Sequence, residues 1–70
     1  MKTKYSKVKK GKYNIINEET GEKIGRVWLK PRSREWASSF NKVGIVARHA
    51  NSRKQATEMG VSLYKSKQNL

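Results

Sequence analysis

Arg26, Trp28, Lys30 and Arg32 recur at every second position of one short stretch, with Val27 and Leu29 between them. Successive side chains of a strand point to opposite faces, so this spacing separates cations and an indole from aliphatics. The chemistry open to such a face is recognition of a polyanion. Guanidinium groups read guanine edges bidentately, and an indole packs on sugar, thymine methyl or base. A second placement of Trp28, inside the core of a small domain that needs aromatic mass, fits the same stretch. A one-residue change of hairpin register decides which first-strand residues lie beside it.

No catalytic set accompanies this face. The chain has no Asp, its five Glu are scattered, and Ser or Lys nucleophiles have no base beyond the single histidine, His49. Without cysteine there is neither a disulfide nor a thiolate metal site, and one histidine cannot hold a metal alone. Gly21-Glu22-Lys23-Ile24-Gly25 lacks the spacing and the Lys-Ser/Thr end of a phosphate loop. The expectation is a protein that is not an enzyme and takes no metal or cofactor. His49 reads as a strand-end residue, with a phosphate contact as the other role open to it.

Lys and Arg number 17 against five acids, a formal net charge of +12 with a pI near 10.4. Solubility of a small domain asks for a net charge of only about 2–8. The excess repels itself unless a polyanion offsets it. Nucleic acid is the first such partner, an anionic membrane the second and an acidic protein the third. The charge is also uneven. Residues 1–12 hold six lysines and no acid, whereas residues 13–22 hold three Glu and no base. Glu18, Glu19 and Glu22 therefore make an acidic hairpin tip, which should point away from a polyanion.

A chain of 70 residues has room for one domain. It buries only about 60% of its unfolded surface, so it should act through a surface rather than a deep pocket. Residues 1–11, with little to bury besides Tyr5 and Val8, read as a flexible basic arm, disordered when free. Residues 12–70 read as a single nucleic-acid-binding domain. Lys12–Asn17 is β-prone, Glu18-Glu19-Thr20-Gly21 supplies a turn, and Lys23–Lys30 alternates. On that alternation Ile24 joins Arg26, Trp28 and Lys30 on one face, opposite Gly25, Val27 and Leu29. Pro31 ends the strand or forces it to an edge. Trp36 and Phe40, four apart, fit a short helical turn or two plugs in an ordered loop, and in either case complete the core. A third strand runs from Val43 to His49, with Val43, Ile45 and Ala47 opposite Gly44, Val46 and Arg48. Ser52 and Gln55 match a capping box, and Ala56, Met59, Gly60 and Leu63 follow at helical spacing, which predicts a helix over 52–66. Small residues at Ala56 and Gly60 would let it lie close on a sheet. The expected fold is α+β: a three-stranded antiparallel sheet packed against one C-terminal helix.

Arg26-Val27-Trp28-Leu29, set in three strands followed by a helix, resembles the AP2-type plant DNA-binding domain. It is similar in order to the N-terminal arm-binding domains of phage and transposon integrases, which also carry a basic tail. The resemblance covers residues 12–66 as a pattern and four residues as a motif. It implies that Arg26 and Trp28 face the DNA major groove while Val27 and Leu29 face the helix. Residues 31–42 depart from the family, as does the absence of its acidic helix. Arg53 and Lys54 at a helix start also resemble the double-stranded-RNA-binding domain, although that family has a helix before its sheet.

Double-stranded DNA is thus the expected partner. Arg26, Trp28, Lys30, Arg32 and Arg48 form the expected groove-facing set, and Lys9, Lys10, Lys12, Arg53 and Lys54 the phosphate-holding set. An RNA-binding or ribosome-associated module is the second reading. A small phage-type adaptor or inhibitor docking on an acidic protein is the third. No apolar run approaches the roughly 20 residues that span a bilayer. The N-terminus has lysines but no apolar signal-peptide region. The expected location is the cytoplasm, on the nucleoid or in a host-cell interior.

Overall fold

The computed structural model describes residues 2–68. Strands β1 (Thr3–Lys9), β2 (Lys12–Asn17), β3 (Lys23–Leu29), β4 (Trp36–Phe40) and β5 (Gly44–Ala50) form one antiparallel sheet in chain order, followed by α1 (Arg53–Gln68). The class is α+β, but the sheet has five strands and not three. β2, β3, β5 and α1 coincide with expected elements. β1 and β4 do not.

β1 replaces the expected disordered arm. It pairs with β2 through Tyr5↔Ile15, Ser6↔Asn14 and Lys7↔Tyr13. Tyr5 anchors it: the ring meets Tyr13 edge-on at 5.9 Å between centroids, and its hydroxyl lies 2.7 Å from Thr57 Oγ1 on the helix. Lys4, Lys7 and Lys9 stay exposed along this free edge, where like charge discourages further strand pairing.

β4 replaces the expected helical turn or loop. Trp36 and Phe40 share a face because they are two strand periods apart, with the fully buried Ser38 between them. Ser38 Oγ donates to the Ala56 carbonyl at 2.9 Å, which satisfies a buried hydroxyl and fixes α1 on β4.

Register irregularities in β3 and β5 correct the expected alternation. Gly25 pairs with Ile15 while Lys23 pairs with Ile16, so Ile24 is the extra residue and turns into the core, fully buried and away from Arg26. Register shifts against β4 likewise break β5: Ala47 is buried, Val46 packs on the core, and Ile45 is exposed. Gly25 has no room for a side chain, since a Cβ would lie 2.5 Å from the Ser39 carbonyl oxygen.

α1 is capped as the residue types predict, with Ser52 Oγ accepting from the Gln55 amide at 3.0 Å. Gln55 Oε1 accepts in return from Asn51, one residue before the usual partner. The inward stripe is Ala56, Thr57, Gly60 and Tyr64; Met59 and Leu63, expected inside, are half-exposed. A Cβ on Gly60 would fall 1.8 Å from the Phe40 ring, so glycine is what allows this close approach. The core of Ile15, Ile24, Val27, Phe40, Ala47 and Tyr64 lies between the sheet and α1, which packs on β3, β4 and β5. No second helix covers the opposite face among the described residues.

Candidate nucleic-acid interface

The register lays out the bare face row by row. Lys9, Lys12, Trp28 and Ala37 are successive cross-strand partners, and Asn14, Arg26 and Ser39 form the row beside them. Val27 belongs to the helix-side core, so its neighbours Arg26 and Trp28 point the other way. Trp28 is half-buried and lies outside that core. Its partner Ala37 is fully buried although it too lies outside the core cluster, so outer-face neighbours cover it.

Lys9, Lys10, Lys12, Arg26, Trp28 and Pro31 line an open groove of about 520 Å³. One wall is the β1–β2 turn, where Gly11 adopts φ 78°, the left-handed region that glycine enters without strain. The Leu29 amide donates to the Gly11 carbonyl at 2.8 Å and so fixes that turn against β3. Among the described residues the ion pairs are His49–Glu35 and Lys54–Glu58, so the groove cations face no carboxylate partner. An aromatic surface ringed by unneutralised cations can accept a phosphate and a ring or sugar together.

Lys30 and Arg32 follow in the β3–β4 loop. This loop is ordered by its own backbone: Lys30 donates to Glu35 at 2.9 Å, and Arg34 donates to Lys30 at 2.9 Å. The Glu35 amide also meets Ser33 Oγ at 3.4 Å. His49 Nδ1 donates to Glu35 Oε1 at 3.1 Å and ties the loop to β5. That bond is the main cause holding the Glu35 carboxyl below its ordinary value; partial desolvation opposes it, and the His49 charge, Ser33 and Lys30 add to it. Arg32 and Arg34 are both exposed, and Arg34 is held at φ 57°. Arg34 is not among the expected site residues, although it continues the every-second-residue spacing of Arg26, Trp28, Lys30 and Arg32 into the loop.

The remaining expected site residues lie elsewhere. Arg48 is exposed on β5, and Lys54 is exposed with its Nζ 4.0 Å from Glu58. Arg53 is half-buried on the helix side, its guanidinium 4.3 Å from the Tyr5 ring centroid and 4.6 Å from that of Tyr13. It joins α1 to β1 and β2 through cation–π contacts, a structural role the expected phosphate contact did not include. The structure therefore gathers Lys9, Lys10, Lys12, Arg26 and Trp28, leaves Arg53 behind the sheet, and places Lys54 apart from them at the start of α1, beside the β5–α1 junction.

No family model, curated protein or solved structure matches the chain. Among the described residues no cluster of three potential ligands could hold a metal ion, and no helix is long and apolar enough to cross a membrane.

Proposed function

We propose that the chain is a non-enzymatic nucleic-acid-binding protein that prefers double-stranded DNA and acts in the cytoplasm or on the nucleoid. One observation carries this reading: Trp28 and Arg26 share an open groove with three lysines, on the sheet face opposite the core. Leaving an indole partly in water forfeits burial free energy, and crowding unpaired cations around it adds repulsion. Phosphate relieves the repulsion, and the sugar or base beside it covers the ring. The alternation of Arg26, Val27, Trp28 and Leu29 that resembles AP2-type domains is compatible with this use, on a wider sheet.

A second reading has its own support. A single indole among cations is also the stacking platform on which unpaired bases rest. Titration of fluorescently labelled duplex DNA, duplex RNA and single-stranded DNA of one sequence, at about 100 mM salt where phosphate contacts still count, separates them. The expected order puts duplex DNA tightest. Preference for the single strand would favour the platform, and failure of all three would favour docking on an acidic protein.

A further inference from the structure

An antiparallel meander places alternate connections at opposite ends of its sheet. Here the β1–β2 turn, the β3–β4 loop and the β5–α1 junction share one end, and the β2–β3 and β4–β5 turns share the other. Charge divides the same way. The β1–β2 turn brings Lys9, Lys10 and Lys12; the β3–β4 loop brings Lys30, Arg32 and Arg34; the junction is flanked by Arg48 and Lys54. Glu35, the acid within the β3–β4 loop, is engaged by His49. At the far end the exposed Glu18, Glu19 and Glu22 of the β2–β3 turn stand beside Lys2, Lys4, Lys23 and Lys42 and offset most of their charge, so the cationic excess falls on the first end.

Width decides how such a body can meet a duplex. Five strands span four spacings of about 4.8 Å, or roughly 19 Å before side chains are counted. The major groove is about 12 Å wide and admits a helix or a two-stranded ribbon. The bare face therefore cannot enter it flat. Presented by its cationic end, the same sheet fits. The β1–β2 turn and the end of β5 lie three to four spacings apart, about 14–19 Å, enough to reach both lips of that groove. The β3–β4 loop lies between them.

We infer that the protein engages duplex DNA end-on through this pole. Lys9 and Lys10 hold one phosphate backbone, Arg48 and Lys54 the other, and the β3–β4 loop carries Arg32 and Arg34 into the major groove. This rests on the nucleic-acid-binding reading above and deepens it, moving the base-reading role from the middle of the sheet to a loop. The loop suits the task because its backbone hydrogen bonds and the Glu35–His49 contact hold it before any ligand arrives. Trp28, in the groove shared by the β1–β2 turn and Pro31, sits at the shoulder of the same pole.

The test compares two pairs of substitutions that remove equal charge from opposite ends. Arg32→Ala with Arg34→Ala strips the loop; Lys23→Ala with Lys42→Ala strips two exposed lysines at the far end. Each full-length variant is titrated against a labelled mixed-sequence duplex of about 20 base pairs, after thermal unfolding has shown it folded. The loop pair should weaken binding by about tenfold or more, and the far pair by less than about twofold. Methyl green, which occupies the major groove, should displace the protein, and netropsin, which fills the minor groove, should not. Equal weakening by both pairs, or displacement by netropsin alone, overturns the end-on mode while leaving nucleic-acid binding intact. A wild-type chain that binds no nucleic acid overturns the parent reading instead.

Discussion

Trp28 and Trp36 occupy neighbouring strands yet face opposite ways, since Trp28 pairs with Ala37 and Trp36 with Leu29. Their truncations should therefore separate function from stability. Trp28→Ala should change unfolding free energy by no more than about 1 kcal/mol and weaken DNA binding by about 1–3 kcal/mol. Trp36 packs on the core and tilts against Tyr13 at 6.3 Å. Trp36→Ala should cost about 3 kcal/mol of stability. Urea unfolding and DNA titration on both variants check this, and an unfolded Trp28→Ala protein would contradict the face assignment. Arg34 offers a finer test. Holding a non-glycine residue at its φ of 57° costs about 1 kcal/mol. Arg34→Gly should thus leave stability unchanged or raise it by up to about that amount, yet weaken binding; a variant that gains both would remove Arg34 from the interface. That Arg26 and Trp28 face away from the core was legible because their strand alternates two chemically distinct faces. That of Arg53 was not, because its partners Tyr5 and Tyr13 come together only once β1 has paired with β2.

Strands that hide in a sequence do so for identifiable reasons. In β4 the buried position between Trp36 and Phe40 is a serine, whose cost is offset by one hydrogen bond to the helix, so the period of two is masked and the period of four stands out. β1 is masked by lysines: it buries one aromatic, and an edge strand needs no second apolar face. The consequence is measurable. Residues 1–11 read as an arm whose removal leaves the fold intact, whereas in the structure that removal strips Tyr5 from Tyr13, Thr57 and Arg53 and leaves β2 as the edge. Deleting residues 1–11 should lower unfolding free energy by about 2–4 kcal/mol, the scale of one buried aromatic with its ladder bonds. In a domain this small the loss should broaden or abolish the cooperative thermal transition. An unchanged midpoint would return β1 to the status of an arm.

At the scale of the whole molecule, composition alone pointed to a polyanion, but the division of charge into poles depends on strand count. With three strands the residues from 31 to 42 are an unplaced loop; with five, β4 returns the chain so that Lys30–Arg34 and Arg48 finish at the same end as Lys9 and Lys10. Binding through that pole fixes how affinity should respond to salt. If about five to eight phosphates are neutralised, log affinity should fall against log salt with a slope of about −4 to −7. The slope counts contacts and not net charge, so the far-end lysines, which add to the total charge of +12, should not add to it. Replacing Lys9 and Lys10 by alanine should flatten the slope by about 2, whereas replacing Lys23 and Lys42 should shift affinity slightly at constant slope. Titrations at four or five salt concentrations distinguish the cases. A wild-type slope near zero would remove counterion release from the mechanism. Equal flattening by either pair would mean that the chain meets DNA in many orientations, as a diffuse cation with no preferred end.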